Sequence, residues 1–153
     1  MQEERYVDRR RDYSAWHRSK SICRYVNEEQ AKALSMIDLD MPVYVEYTNE
    51  GKQPLALIEL AQDVDQPFKT STVTLNLAKR AGIPCYVVLY ELSDKPNPAD
   101  PKWKDIKAFR IKRLYPEPEN EWRKLTPQEW SEGLLKIREF GERELKNKPV
   151  GHR

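Results

Sequence analysis

Apolar positions in this chain fall into a few short runs between charged stretches, and the spacing inside each run predicts an element. Residues 1 to 33 are polar, with Tyr13, Trp16, Ile22 and Tyr25 three to six positions apart, a pattern that predicts one or two amphipathic helices. The run MIDLDMPVYVEY, residues 36 to 47, is rich in β-branched and aromatic side chains and reads as a strand. Asn49 and Gly51 then supply a hairpin turn over residues 48 to 52, and a second strand follows over 55 to 60. Pro42 cannot donate to a ladder, so the first strand is expected to be bulged or at a sheet edge near that point.

Residues 67 to 81 read as a helix: Pro67 suits its first position, Val73 and Leu77 lie four apart, and Gly82 and Pro84 are stop signals. The run CYVVLYE, residues 85 to 91, is apolar on both alternating faces, as a strand covered on two sides requires. With a helix before it, this strand is expected to pair in parallel with the one over 55 to 60. Pro96, Pro98 and Pro101, mixed with Ser93, Asp94, Asn97 and Asp100, predict a long exposed loop over 93 to 104, followed by a shorter strand over 106 to 111. After the proline-rich Tyr115-Pro116-Glu117-Pro118, the capping box Thr126-Pro127-Gln128-Glu129 opens a helix from 127 to about 146. Trp130, Leu134, Ile137 and Phe140 form its expected buried stripe, with Arg138, Glu142, Arg143 and Lys146 facing water. No internal repeat interrupts this α/β order.

Length and charge narrow the picture. At 153 residues the chain suits one domain, by a prior of roughly 100–200 residues each. Lys and Arg number 27 against 25 Asp and Glu, for a net charge of +2, so wrapping of nucleic acid by the chain as a whole is excluded. No apolar stretch approaches the roughly 18 to 20 residues of a bilayer span. The charged amino terminus MQEERYVDRRRDY has no apolar signal region, which predicts a cytoplasmic protein without membrane association. Cys23 and Cys85 lack CxxC spacing, and Cys85 lies in an apolar run, so reduced thiols are expected, with Cys85 in the core. Two histidines, His17 and His152, do not supply a His-rich zinc site, and neither GxxxxGK[ST] nor GxGxxG occurs.

The candidate chemistry is acidic. Asp38 and Asp40 stand in the first strand and Glu59 in the second; alternation puts Asp38, Asp40 and Glu46 on one face if no bulge intervenes. An ionised carboxylate inside an apolar strand needs a cation or hydrogen-bond donors. Such acids at adjoining strand positions suit one or two Mg²⁺ ions, which take oxygen ligands, activate water and stabilise charge on a phosphodiester. The alternative is that they are solvated acids paired with Arg or Lys. Arg9, Arg10 and Arg11, with His17 and Arg18, are candidate phosphate contacts, although Asp8 and Asp12 flank the arginines and a solvated mixed-charge helix fits them equally.

Taken in order, the leading helix, Asp38-Leu39-Asp40, the turn at Asn49 to Lys52, Pro54-Leu55-Ala56-Leu57-Ile58-Glu59, the helix closed by Ala81-Gly82-Ile83-Pro84 and the strand after it resemble the PD-(D/E)xK nuclease superfamily. The resemblance covers residues 13 to 113 and is closest to small phage and bacterial members. It implies a restriction-endonuclease-like fold with a mixed central sheet of about four strands between helices. It also implies Mg²⁺- or Mn²⁺-dependent hydrolysis of DNA, and homodimers are common among such enzymes. Asp40 or Asp38 would be the first metal ligand and Glu59 the second. The lysine that the motif places two residues after Glu59 is replaced by Ala61. Lys69, expected on the first turn of the following helix, can supply an ammonium group instead; Gln62 can contribute only if the strand ends or bulges there. The other reading is an inactive module with this architecture that binds nucleic acid or a protein.

Overall fold

The computed structural model describes residues 22–34 and 39–147. The chain divides into two compact units, residues 1–38 and 39–153. In the first, a 3-10 turn over Ile22–Arg24 precedes the helix α1, Glu28–Ala33. A capping box fixes its start: Gln30 N donates to Asn27 Oδ1 at 2.7 Å and Asn27 N to Gln30 Oε1 at 3.1 Å. The helical positions expected at Tyr13 and Trp16 lie outside the described residues, as do Arg9, Arg10, Arg11, His17, Arg18 and Asp38.

The second unit is a five-stranded sheet in simple sequence order, β1 (Met41–Tyr47), β2 (Gly51–Gln62), β3 (Cys85–Asn97), β4 (Asp100–Tyr115) and β5 (Arg123–Leu125). Only β2 and β3 pair in parallel, and the helix α2 (Thr72–Ala81) is the crossover between them. A second helix of this unit, α3 (Pro127–Asn147), follows β5. Alternation along β2 sorts the core into two layers. Ala56 and Ile58 join Val88, Ile111, Trp130 and Ile137 on the α3 face. Leu57 joins Ala78 and Cys85 on the α2 face. The chain is therefore an α/β protein with a mixed sheet and a helix on each side.

Pro42 behaves as its chemistry requires: β1 is an edge strand, and the β1–β2 register shifts between Val43 and Tyr44. Val43 pairs with Ala56 and Tyr44 with Pro54, so Leu55 is the extra residue of the bulge. It turns onto α3, where it meets Gly141.

Several expectations need correction. The sheet has five strands, because Arg123–Leu125 forms a short polar edge strand without any apolar period. Residues 93 to 104 are the end of a long hairpin rather than a loop. Register shifts on either side of Leu92 and Pro96 absorb the prolines, and the Ser93 and Asn97 side chains accept Lys95 N at 3.1 Å and Ala99 N at 2.9 Å. The helix expected from Pro67 begins at Thr72, because the segment before it is held by other contacts. It turns Thr74 and Ala78 inward and leaves Val73 and Leu77 exposed, since small residues let it lie close to the sheet. On α3, Phe140 is 41% exposed and the close contact with the sheet is made by Gly141. Cys85 is buried and Cys23 exposed, both as free thiols. No helix among the described residues is long and apolar enough to cross a membrane.

Candidate active site

The register that sets Met41 opposite Ile58 and Pro42 opposite Leu57 puts Asp40, one step further, opposite Glu59. Asp40 Oδ2 accepts the Leu60 N–H at 2.9 Å, taking the place that a backbone carbonyl of a longer β1 would fill. Glu59 shares the α2 face with Leu57 and is only 4% exposed, so both of its oxygens need donors. Lys69 Nζ lies 2.5 Å from Oε2, and the Thr74 hydroxyl on α2 donates to Oε1. The same ammonium reaches Asp40 Oδ2 at 3.4 Å. One cation thus bridges two carboxylates contributed by segments about twenty residues apart.

Burial alone would push the Lys69 ammonium down, but its hydrogen bond to Glu59 and the charges of Glu59 and Asp40 outweigh it and raise the pKa above the ordinary lysine value. Cys85, behind Glu59 on the α2 face, is pushed up to about 11 by burial and by the Glu59 charge. That shift disfavours the thiolate that a nucleophile or a metal ligand would need.

Lys69 reaches the carboxylates from the connection between β2 and α2. Asp63 N donates to the Tyr90 carbonyl at 2.7 Å, one residue past the last pair of the β2–β3 ladder. Asp65 then adopts the left-handed region (φ 63°), which aspartate tolerates, and its N–H bonds Asp63 Oδ1 at 2.9 Å. Gln66 ties both sides of this bend, accepting Val64 N at 2.8 Å and donating to the Gln62 carbonyl at 3.0 Å. From β4, Arg110 grips the Asp63 carboxylate with Nε at 2.8 Å and Nη2 at 2.7 Å, and Nη2 also bonds the Gln66 carbonyl at 3.0 Å. Trp122 lies with its ring centre 5.0 Å from the Arg110 guanidinium and donates Nε1–H to the Pro67 carbonyl at 3.0 Å. The Arg110 hydrogen bond outweighs burial and holds the Asp63 carboxyl below its usual range.

No protein-family model, curated protein or solved structure matches this chain.

Of the residues singled out from the sequence, the structure joins Asp40, Glu59 and Lys69. Lys69 stands just before α2 rather than on its first turn. Gln62 is not part of the group: the β2–β3 ladder continues unbroken to Gln62, so alternation turns it to the face opposite Glu59. Ala61 does share the Glu59 face. Glu46 is exposed and, six residues along β1 from Asp40, lies ~20 Å away by strand rise. Thr74, Asp63, Arg110 and Trp122 were missed by sequence reasoning. Thr74 carries no motif, and the partnership of Asp63 with Arg110 spans 47 positions.

Among the described residues, no three His, Cys, Asp or Glu side chains gather as a metal-binding group. Asp40 and Glu59 are the side chains that could hold a Mg²⁺- or Mn²⁺-type ion, which commonly takes one or two carboxylates together with waters and phosphate oxygens. In this structure the positive charge between the two acids is the Lys69 ammonium.

Proposed function

We propose that the protein is a divalent-metal-dependent phosphodiesterase acting on DNA, with the restriction-endonuclease-like architecture implied by its resemblance to PD-(D/E)xK nucleases. The observation that carries this reading is the Lys69 ammonium between Asp40 and Glu59. A bound Mg²⁺ would polarise the phosphodiester and lower the pKa of a water. Asp40 and Glu59 supply the negative charge that holds such an ion, and Thr74 fixes the Glu59 carboxylate in one orientation. Lys69 orients the attacking water and offsets the charge that builds on the phosphate oxygens. It takes the part of the lysine missing at Ala61, delivered from a different backbone position. Arg9, Arg10, Arg11, His17 and Arg18 are the proposed phosphate-backbone contacts.

A second reading is favoured by the same contacts. Lys69 and Thr74 already occupy both oxygens of Glu59, as an ion-paired framework in a non-catalytic binding module would. Incubation with single- and double-stranded DNA in Mg²⁺ and Mn²⁺ separates the two. Asp40→Asn, Glu59→Gln and Lys69→Ala should each lower cleavage by about 10²-fold or more. The double change Lys69→Ala with Ala61→Lys should recover part of it, because position 61 shares the Glu59 face. Equal residual degradation by wild type and all variants would leave only the binding module.

A further inference from the structure

We propose that Arg110 is the positioning residue for Lys69: gripped by Asp63 and covered by Trp122, it clasps the β2–α2 connection so that an ammonium delivered from a loop stays between Asp40 and Glu59. The proposal rests on the reading of Lys69 as the functional amine. A lysine two residues after Glu59 would be held by the strand ladder itself. A lysine from a connection has no ladder, and its four-carbon stem is flexible. The backbone that carries it must be fixed by other means.

The register explains how Arg110 does so. Ala61, Leu89 and Arg110 form one row across β2, β3 and β4. Arg110 reaches from the far end of that row to Asp63, just past β2, with a fork that suits a carboxylate. Its third bond, to Gln66, and the Trp122 bond to Pro67 fix two carbonyls within three residues of Lys69. The Asp63 side chain is 10% exposed and that of Arg110 21%, so solvent screens the pair weakly. None of the Arg110 hydrogen bonds goes to Asp40 or Glu59.

Competitive amine labelling read by mass spectrometry tests this without a substrate. In Arg110→Ala, Lys69 should react about tenfold faster relative to the other lysines, the size of a typical coupling between contacting residues. Trp122→Phe, which keeps an aromatic side chain and loses the indole N–H, should give a smaller rise in a protein that remains folded. Reversal of the pair, Asp63→Arg with Arg110→Asp, should restore slow labelling. In the DNA assay Arg110→Ala should lower kcat about tenfold in the wild-type background and have no further effect in Lys69→Ala. Unchanged Lys69 labelling in folded Arg110→Ala and Trp122→Phe, or additive losses in the double variant, would overturn the proposal. Failure to cleave DNA would count against the nuclease reading alone, because the labelling result stands apart from it.

Discussion

Glu59 is the residue on which stability and chemistry meet. Buried at the end of β2, it is compensated by an ammonium and a hydroxyl. Lys69→Ala leaves a buried carboxylate with one donor. Removing one partner of a buried pair costs about 3–5 kcal/mol, and partial exposure of Lys69 brings the expectation to about 2–3 kcal/mol. Thr74→Val removes a neutral donor and should cost about 1–2 kcal/mol. Urea denaturation at neutral pH measures both, and the order Lys69 above Thr74 is the expected outcome. Asp63 sets a pH dependence. Its folded pKa is depressed by Arg110, so its contribution is complete above the unfolded aspartate value and is lost as pH falls through the folded value. Melting temperature should therefore drop below about pH 4, and Asp63→Asn should flatten that part of the profile.

At the scale of elements, the two glycines of α3 separate helix propensity from packing. A Cβ at Gly141 would lie 2.8 Å from Leu55 Cβ, whereas one at Gly133 meets only the Trp130 ring at 3.4 Å. Gly133→Ala should stabilise by about 0.5–1 kcal/mol through helix propensity. Gly141→Ala forgoes that gain to an overpacking cost of about 1–3 kcal/mol and should destabilise, as thermal melts will show. The same bulge explains an error of sequence reading. The pattern of α3 correctly marks Trp130 and Ile137 as buried, but it puts Phe140 in the same stripe, because periodicity cannot register that Leu55 turns out of its expected face onto Gly141. The β3–β4 hairpin was illegible for a related reason: prolines that argue against pairing are accommodated by register shifts, which leave no mark on composition. Its outer part, with Trp103 61% exposed, should exchange its amides far faster than Val87 to Leu89 in the core.

Across the whole second unit, the site is assembled from the stub before β1, the end of β2, the connection to α2 and α2 itself. The two acids and the parallel strand pair were legible because hairpin register and crossover chemistry act over short sequence distances. The clasp was not, since Arg110 and Trp122 meet the loop across 47 and 55 positions of sequence. The account requires that Asp40 and Glu59 serve a divalent ion beside the Lys69 ammonium. Calorimetric titration with Mn²⁺ measures this directly. Wild type should bind, and Asp40→Asn and Glu59→Gln should weaken binding about tenfold or more. Wild-type affinity no greater than that of Glu59→Gln would contradict it.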